Sequence, residues 1–366
     1  MKYQYKFFTP TKMNKTFIRA FVAIFQQMKN QIIFIILISF AFSLNTTAQN
    51  RIRVNNTPGV DADYSDLQEA LTNAESGDVI YIEGTGIPYH DSYHVDKPYI
   101  TLIGPGYFLA LNDSTQAGKA PAMIDNLYID ATATGATIMG LRITETYVNA
   151  GSVEITRNHI YRVWVAQSNS ATDLSLHSNY FTYRVHVDNN HPANASIYNN
   201  IFKASYTAIV NYGNASLNIY NNVFDVYYGG EILDVENANI YNNIIFNAYP
   251  NYIPFIDANP ALNNSVANNV ICQEELPQFP NNVWGVAIED VIVYTTGGVE
   301  KKYKLPAGSP AIGAGENGVD CGIFGGDTPY VLSGIPPIPH IFESNIPSSG
   351  SSSEGLPVHI KAKTQN

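Results

Sequence analysis

The chain is poor in charge, above all in positive charge. Lys, Arg, Asp and Glu together make up 14% of its 366 residues, and the segment 204–299 contains no Lys or Arg. Proteins bind phosphate backbones through clustered Lys and Arg. The net charge of −11 therefore argues against a nucleic-acid partner, and the segment 204–299 cannot bind a polyanion directly.

Long apolar runs are missing as well. The run from Ile32 to Leu44 has 13 residues, whereas a membrane-spanning helix needs roughly 20. It follows a basic stretch and precedes small residues that end at Ala48, which is the pattern of a signal peptide. We therefore expect 1–48 to be a leader, with Met28 as an alternative start. Its removal lowers the net charge to −17, and the mature protein is expected to be secreted or displayed at the cell surface without a membrane span.

Cysteine is scarce, with Cys272 and Cys321 as the two positions. A disulfide between them is allowed in an exported protein. Two buried free thiols are the alternative.

What the chain does have is a repeat marked by six asparagines at intervals of 21, 21, 22, 21 and 26 residues. An aliphatic residue lies three positions before each, and Ile or Phe lies two positions after each. Strand side chains alternate between two faces, so apolar positions five residues apart require a bend, which Asn accommodates in left-handed backbone. We expect the six to be structural and to bond to the coils above and below them: Asn158, Asn179, Asn200, Asn222, Asn243 and Asn269.

This period, without helical patterning, predicts an all-β protein, a right-handed parallel β-helix with coils of 21–26 residues over 49–316. An amphipathic helix near 64–75 is predicted to cap the N-terminal end, with Ser65 and Gln68 as its capping box. The Gly/Pro-rich segment 317–346 predicts a non-helical C-terminal cap. The last residues, 347–366, predict a Ser-rich linker and a terminal strand.

The helix and the motifs SGDVIYIEG, ITLIG and LPAGSPAIGAG resemble the pectate-lyase-like β-helix superfamily, which includes many exported bacterial proteins. The resemblance covers roughly 60–315 and implies the fold rather than an activity, because the superfamily contains lyases, hydrolases, epimerases and proteins without known chemistry. Where its alginate lyase and chondroitinase B family typically shows Arg-His-Gly, this chain reads NYG from Asn211 to Gly213. The preceding coil lacks the expected lysine. The comparison implies that both essential cations of that lyase family are missing.

Basic residues do occur on three successive coils, as Arg162, Arg184 and Lys203. Adjacent coils lie about 4.8 Å apart, so the three are candidates for a cationic strip that binds an acidic sugar, with His186 and Asp188 beside it. The alternative is three solvated charges next to turns.

Tyrosines precede three of the repeat asparagines by two residues, as Tyr198, Tyr220 and Tyr241. We expect them to stack as a ladder on the outer surface, where tyrosine faces suit sugar rings. The same ladder could stabilise neighbouring strands without a ligand. The histidines show no zinc-ligand spacing; those considered are His159, His177 and His191.

Asp234 and Asp257 are the candidate catalytic residues. A spacing of 23 residues places Asn211, Asp234 and Asp257 in one column. Carboxylates on adjacent coils would be about 5 Å apart, as in retaining glycosidases. Such a pair shares a proton or binds a cation, which makes Ca²⁺ a candidate cofactor with Glu231 and Glu236 as further ligands. The alternative is that the aspartates accept backbone hydrogen bonds in turns.

Two functions therefore remain open. In the first, the protein is an exported monomer, non-catalytic or degenerate, that binds or is displayed with extracellular polysaccharide. In the second, it is an active polysaccharide lyase or glycoside hydrolase. The shortage of Lys and Arg in the repeats favours the first.

Overall fold

Short strands are the main regular elements of the structure, a computed structural model that describes residues 49–165, 171–187, 194–211, 213, 215–227, 231–247, 255–257, 259–293, 298–353 and 355–364, and Gln26. In chain order the strands are β1 Arg51–Val54, β2 Val79–Ile82, β3 Tyr89–Val95, β4 Thr101–Ile103, β5 Met123–Ile129, β6 Thr137–Met139, β7 Arg142–Val148, β8 Glu154–Thr156, β9 His159–Val165, β10 Leu174–His177, β11 Tyr180–Val187, β12 Asn194–Tyr198, β13 Ile201–Ala204, β14 Ile209–Asn211, β15 Ser216–Tyr220, β16 Val223–Val226, β17 Leu233–Val235, β18 Ala238–Tyr241, β19 Ile244–Asn247, β20 Ser265–Ala267, β21 Val270–Ile271, β22 Val283–Trp284, β23 Pro339–Asn345 and β24 His359–Thr364. The helices are α1 Leu67–Asn73, α2 Ile288–Val291 and α3 Gly298–Lys301, with 3₁₀ turns at Pro260–Leu262, Glu316–Gly318 and Leu332–Gly334.

Two long sheets of parallel strands form the body of the protein. Sheet 1 has the order β1-β2-β4-β6-β8-β10-β12-β15-β18-β20, and sheet 2 has the order β22-β21-β19-β16-β13-β11-β9-β7-β5-β3. Sheet 2 also branches, because β14 pairs with β11 and β17 pairs with β14. Because the chain visits the two sheets in turn, each coil adds a strand to each sheet, and the architecture is an all-β parallel solenoid.

Like residues stack on like residues inside the solenoid. In sheet 1, Ile197 lies in register with Leu176 on one side and Ile219 on the other. In sheet 2, the ring centroids of Phe181 and Phe202 are 4.7 Å apart, and the next pair, Phe202 and Phe224, is 4.9 Å apart. All these side chains are fully buried. The strict repeat of Ile and Phe in the sequence therefore becomes continuous apolar stacks that hold the coils together.

The turn between the two sheets uses left-handed backbone at one position in each repeat. This residue is the one before each repeat asparagine, not the repeat asparagine itself as expected from the sequence. Its side chain varies, but φ lies between 50° and 58° throughout: Arg157, Ser178, Asn199, Asn221, Asn242 and Asn268. Asn is favoured at four of these positions because it adopts left-handed backbone at little cost.

Helix α1 packs against β1, β2 and β3 at the first coils. Its apolar face is buried through Leu67, Ala70 and Leu71. Asp66 caps the helix by accepting a hydrogen bond from the backbone N–H of Glu69 at 2.8 Å, so the expected capping box of Ser65 and Gln68 is not the one used. No helix among the described residues is long and apolar enough to cross a membrane.

The segment 311–335, here called the strap, lies along the side of the solenoid. Asn242 Oδ1 accepts a hydrogen bond from the backbone N–H of Glu316. Asn221 Nδ2 donates to the carbonyl of Asp320, and Asn199 Nδ2 donates to those of Ile323 and Gly325. The strap therefore runs backwards across successive coils, anchored by the first asparagine of each NN pair.

This placement differs from the C-terminal cap expected over 317–346, and the reason lies in the residues that follow five of the six repeat asparagines. These side chains point outwards, yet they are apolar or aromatic and buried: Tyr180, Ile201, Val223, Ile244 and Val270. Together with strap residues such as Cys321, Ile323 and Tyr330 they form a second apolar core outside the solenoid. The strap covers these side chains, whose exposure to water would be costly. The chain then ends in an antiparallel hairpin of β23 and β24.

Candidate functional site

The repeat asparagines lie inside the turn and have no exposed surface. Asn200 illustrates the pattern: its Nδ2 donates to Asn222 Oδ1 at 3.0 Å and to the carbonyl of Leu176 at 2.8 Å. Its own Oδ1 accepts from the backbone N–H of Asn179 at 2.9 Å. The same chain of side-chain hydrogen bonds links all six and continues to Asn282: Asn158, Asn179, Asn200, Asn222, Asn243 and Asn269. These side-chain amides are buried and hydrogen-bonded within the protein, so they are not available to a ligand.

Tyr198, Tyr220 and Tyr241 form a stack on the outside of sheet 1. Ring centroids are 4.8 and 5.0 Å apart, with planes within 7° of parallel, and His177 extends the stack at 4.7 Å from Tyr198. Each ring face within the stack covers its neighbour. A sugar on this surface would therefore meet ring edges and hydroxyls rather than the open faces expected from the sequence, which weakens the case for the stack as a carbohydrate platform.

The three basic residues do not form one strip. Arg162 and Arg184 lie opposite each other on β9 and β11, but a bulge between Phe181 and Arg184 shifts the register. Strand β13 pairs with β11 only before this bulge, at Phe181 and Phe202. Lys203 is consequently not in register with the two arginines, and its Nζ lies 2.7 Å from Asp225 Oδ1. The predicted strip is thus reduced to a pair of arginines.

The two arginines differ in their partners. Arg162 is neutralised by Glu145 through two hydrogen bonds of 2.8 Å, and its guanidinium lies 4.6 Å from the ring centroid of Trp164. Arg184 lies 4.3 Å from the ring centroid of Tyr183, and its Nε is buried without a hydrogen-bond partner. Over the described ranges of the chain, Arg184 takes part in no ion pair. Among the described residues it is therefore the cation of this face that has no acidic partner.

An aromatic column that the sequence reasoning missed lies beside the arginines on sheet 2. Its members occupy equivalent positions on β3, β5, β7, β9 and β11: His94, Tyr128, Tyr147, Trp164 and His186. Ring centroids of successive neighbours are 4.6 Å apart for the first pair, 4.5 Å for the second and 4.3 Å for the last. The spacing of these residues in the sequence is uneven, which hides the column. The signal that could have revealed it is a recurrent aromatic–aliphatic pair at each strand end, as in YI, YV, WV and HV.

We call the exposed or half-buried side chains Tyr128, Tyr147, Trp164, Arg162 and Arg184 the aromatic–arginine face. Arg184 places a positive charge beside the column, whose rings present mainly their edges because neighbouring groups cover their faces. Guanidinium groups bind carboxylates in a bidentate manner, and ring edges add apolar contact. The arrangement has the chemistry to contact a carboxylate.

The candidate carboxylates lie further along the same column. Val210 pairs with His186 on one side and Asp234 on the other, and a bridge between Leu233 and Ile256 places Asp257 on the next coil. Asn211 lies opposite Val235, so it is one residue out of the column expected from the sequence.

The two aspartates have different surroundings. Asp257 is exposed and accepts a hydrogen bond from the backbone N–H of Asn259 at 2.9 Å, which is a turn contact. Burial and the nearby Asp234 and Asp257 raise the pKa of Glu231 above its ordinary value. The three acids therefore lie in a common negative field.

No metal centre is assembled from the described side chains. Groups of three or more His, Cys, Asp or Glu residues that could hold a metal ion do not occur among them. The expected calcium ligands Glu231, Asp234, Glu236 and Asp257 thus do not converge on one point. Of the other candidates, Asp188 and His191 lie outside the described residues.

Both cysteines are free thiols in the structure, which corresponds to the second of the two alternatives left open by the sequence. The Sγ of Cys321 donates to the carbonyl of Asn268 at 3.3 Å. Burial raises the pKa of Cys272 and of Cys321 to about 12, which keeps both thiols protonated at neutral pH.

Comparison with known proteins supplies no family for this chain. No protein-family model matches it, and no curated protein matches its sequence. The argument for function therefore depends on the geometry described above.

Proposed function

We propose that the protein is an exported, non-catalytic right-handed parallel β-helix that binds acidic extracellular polysaccharide. The proposal rests on the aromatic–arginine face, where Arg184, which has no acidic partner among the described residues, lies beside Arg162 and Trp164. The leader-like segment 1–48 supports export to the medium or cell surface. In this proposal α1 caps the first coils, the chain is a monomer, and the strap closes the outer side of the solenoid.

Binding would be confined to the N-terminal half of the solenoid. The aromatic–arginine face lies on β5, β7, β9 and β11, before the segment 204–299 that lacks Lys and Arg. A single guanidinium such as that of Arg184 can bind a carboxylate even on a protein of negative net charge, because the bidentate contact and aromatic packing act at short range. The surrounding acids would then limit binding to chains with spaced rather than dense charge.

The same charge distribution argues against turnover as a lyase. A lyase must neutralise the uronate carboxylate next to the proton that it removes. The carboxylate candidates Asp234 and Asp257 occur in the segment without Lys or Arg, and Asp257 is engaged in a turn. Catalysis as a hydrolase remains the second candidate function, and the observation that favours it is that Asp234 and Asp257 lie in register on adjacent coils.

Affinity electrophoresis in gels containing polygalacturonate, alginate or a neutral glucan tests the proposal. We expect retardation by the acidic polymers and a loss of at least tenfold in affinity for Arg184→Ala. The matched control is Arg51→Ala, which removes the same charge from the exposed Arg51 on sheet 1. Equal effects of the two substitutions, or equal retardation by the neutral glucan, would refute the assignment of the face.

Turnover is measured on the same samples by new reducing ends and by the ultraviolet absorbance of unsaturated uronates, with and without Ca²⁺. We expect neither signal. Products that appear with the unmodified protein and disappear in Asp234→Asn would replace the binding function with an enzymatic one.

A further inference from the structure

A cavity of about 690 Å³ lies where the solenoid, the strap and the C-terminal hairpin meet. The turn residues Arg157, His177 and Ser178 form one wall, and the loop around Asn112 forms another. The strap contributes the stretch from Asp327 to Leu332 and Ile335. The cavity has the size typical of small-molecule sites, which hold about 300–1,000 Å³.

Cations from three separate elements line this cavity. They are Arg157 from a turn of the solenoid, Lys301 from α3 and Lys363 from β24. Arg157 is held in place because one terminal nitrogen donates to the carbonyl of Ile335 at 2.7 Å. Residues far apart in the sequence thus bring positive charge to one place, in a protein whose net charge is negative.

The two acids that line this cavity, Asp113 and Asp327, are exposed, and Glu154 pairs with the lining His177 at 2.9 Å. The Asp113 side chain is fully exposed, and its carboxylate is 4.0 Å from Lys301 Nζ. Asp327 is also exposed. Exposed carboxylates of this kind are well solvated and weakly coupled to their neighbours, so they neutralise the cations only in part.

The floor of the cavity is held by a buried carboxyl group. Glu300 accepts hydrogen bonds from Tyr330 Oη at 2.6 Å, from Asn112 Nδ2 at 2.7 Å and from the backbone N–H of Ser333 at 3.0 Å. Burial raises the pKa of Glu300 to about 7, which reduces its negative charge at neutral pH. Asn112 and Tyr330 are thereby fixed in position beside the cations.

We propose that this cavity binds a small carboxylated sugar, one or two uronate units long. The cations bind the carboxylate, while the exposed Thr328 offers a polar contact to a hydroxyl group. Val331, Leu332 and Ile335 supply an apolar wall for a ring. The volume exceeds the need of an inorganic anion, so the structure favours a sugar acid. The site shares no residue with the aromatic–arginine face and does not depend on it.

Isothermal titration calorimetry of the protein with glucuronate and a diuronate tests this site, with glucose and inorganic phosphate as comparison ligands. We expect binding of at least one uronate and none of glucose. Lys301→Gln and Lys363→Gln should each weaken uronate binding at least fivefold. The matched controls are Lys304→Gln, three residues from Lys301, and Lys361→Gln, two residues from Lys363. Neither control residue lines the cavity, and neither substitution should change the affinity.

Several results would overturn the proposal. They are the absence of uronate binding, equal binding of glucose, tighter binding of phosphate than of either uronate, or equal effects of the variants and their controls. Arg184→Ala separates this site from the aromatic–arginine face, because it should leave the titration unchanged. A titration abolished by Arg184→Ala would assign the uronate to the other surface and refute the cavity.

Discussion

Replacing Asn200 by leucine, which keeps the branched shape of asparagine but is larger, should destabilise the solenoid through lost hydrogen bonds and through overpacking. Asn200 is fully buried. The change removes the acceptor of the Asn179 backbone N–H and the side-chain donor to the Leu176 carbonyl. A buried polar group that loses its partner costs about 1–3 kcal/mol, so two such groups give about 2–6 kcal/mol.

The measurement is the free energy of unfolding from urea titrations followed by circular dichroism and fluorescence. The control is Asn239→Leu, at an exposed asparagine of β18 whose Nδ2 bonds to Asn218 Oδ1 at 3.1 Å. We expect a loss below about 1 kcal/mol there, as is usual for surface positions. If Asn200→Leu costs no more than this control, the side-chain ladder does not stabilise the fold and the reasoning fails.

Other perturbations should report on the second core and on the pH dependence of stability. Gly325→Ala should loosen the strap, because an added Cβ would lie 1.9 Å from the Asp320 carbonyl oxygen. The control is Gly86→Ala, where an added Cβ would have no atom within 4 Å. Limited proteolysis should cut the strap faster in the Gly325 variant than in the control. Glu300 has a folded pKa of about 7 against an ordinary value of 4.5, so it contributes stability below pH 4.5 that is lost as the pH rises through 7. Glu300→Gln should abolish this loss, which amounts to about 3 kcal/mol in the free energy of unfolding. An unchanged pH profile of stability in the variant would refute this explanation. Burial lowers the pKa of His159 from 6.5 to about 4, so the stability that the neutral imidazole contributes is present above pH 6.5 and is lost as the pH falls through 4. His159→Asn should therefore make the free energy of unfolding differ less between urea titrations at pH 4 and pH 7. An equal difference in the variant and the unmodified protein would count against a buried neutral imidazole.

The stacked strands of the solenoid could be predicted from the sequence because the inner positions repeat strictly. Ile197 and Phe202 recur at fixed distances from Asn200, and parallel pairing turns fixed spacing into contact. A regular spacing of apolar residues is visible within each repeat, so the buried positions can be predicted without knowing the rest of the chain. The parallel all-β architecture follows from it.

The residues that meet at the candidate site were harder to predict from the sequence, because bulges and loops of uneven length set the register of their strands. One bulge before Arg184 is enough to bring it beside Arg162 and to leave Lys203 with Asp225. A one-residue shift likewise takes Asn211 out of the Asp234 column. Such shifts move every side chain of a strand relative to its neighbours, and spacing alone does not reveal them.

The strap could not be placed from composition, because its partners are far away in the sequence. Glycines and prolines indicated an irregular segment, but the order of its contacts is set by Asn199, Asn221 and Asn242. The buried outward position after each repeat asparagine was the available clue. An apolar residue there requires a cover, whatever the sequence of that cover.

The strap also sets a limit on how this protein can change in length. From Glu316 to Ile335 it crosses from the coil of Asn242 to the coil of Arg157. Repeat proteins ordinarily grow by duplicating one coil, since each coil contacts only its neighbours. Here a duplicated coil would lengthen the solenoid by about 4.8 Å while the strap stayed the same, so one or two inserted strap residues, at roughly 3.3 Å each, would have to accompany it. The length of the strap must therefore match the number of coils that it crosses, although the two are encoded in separate parts of the gene.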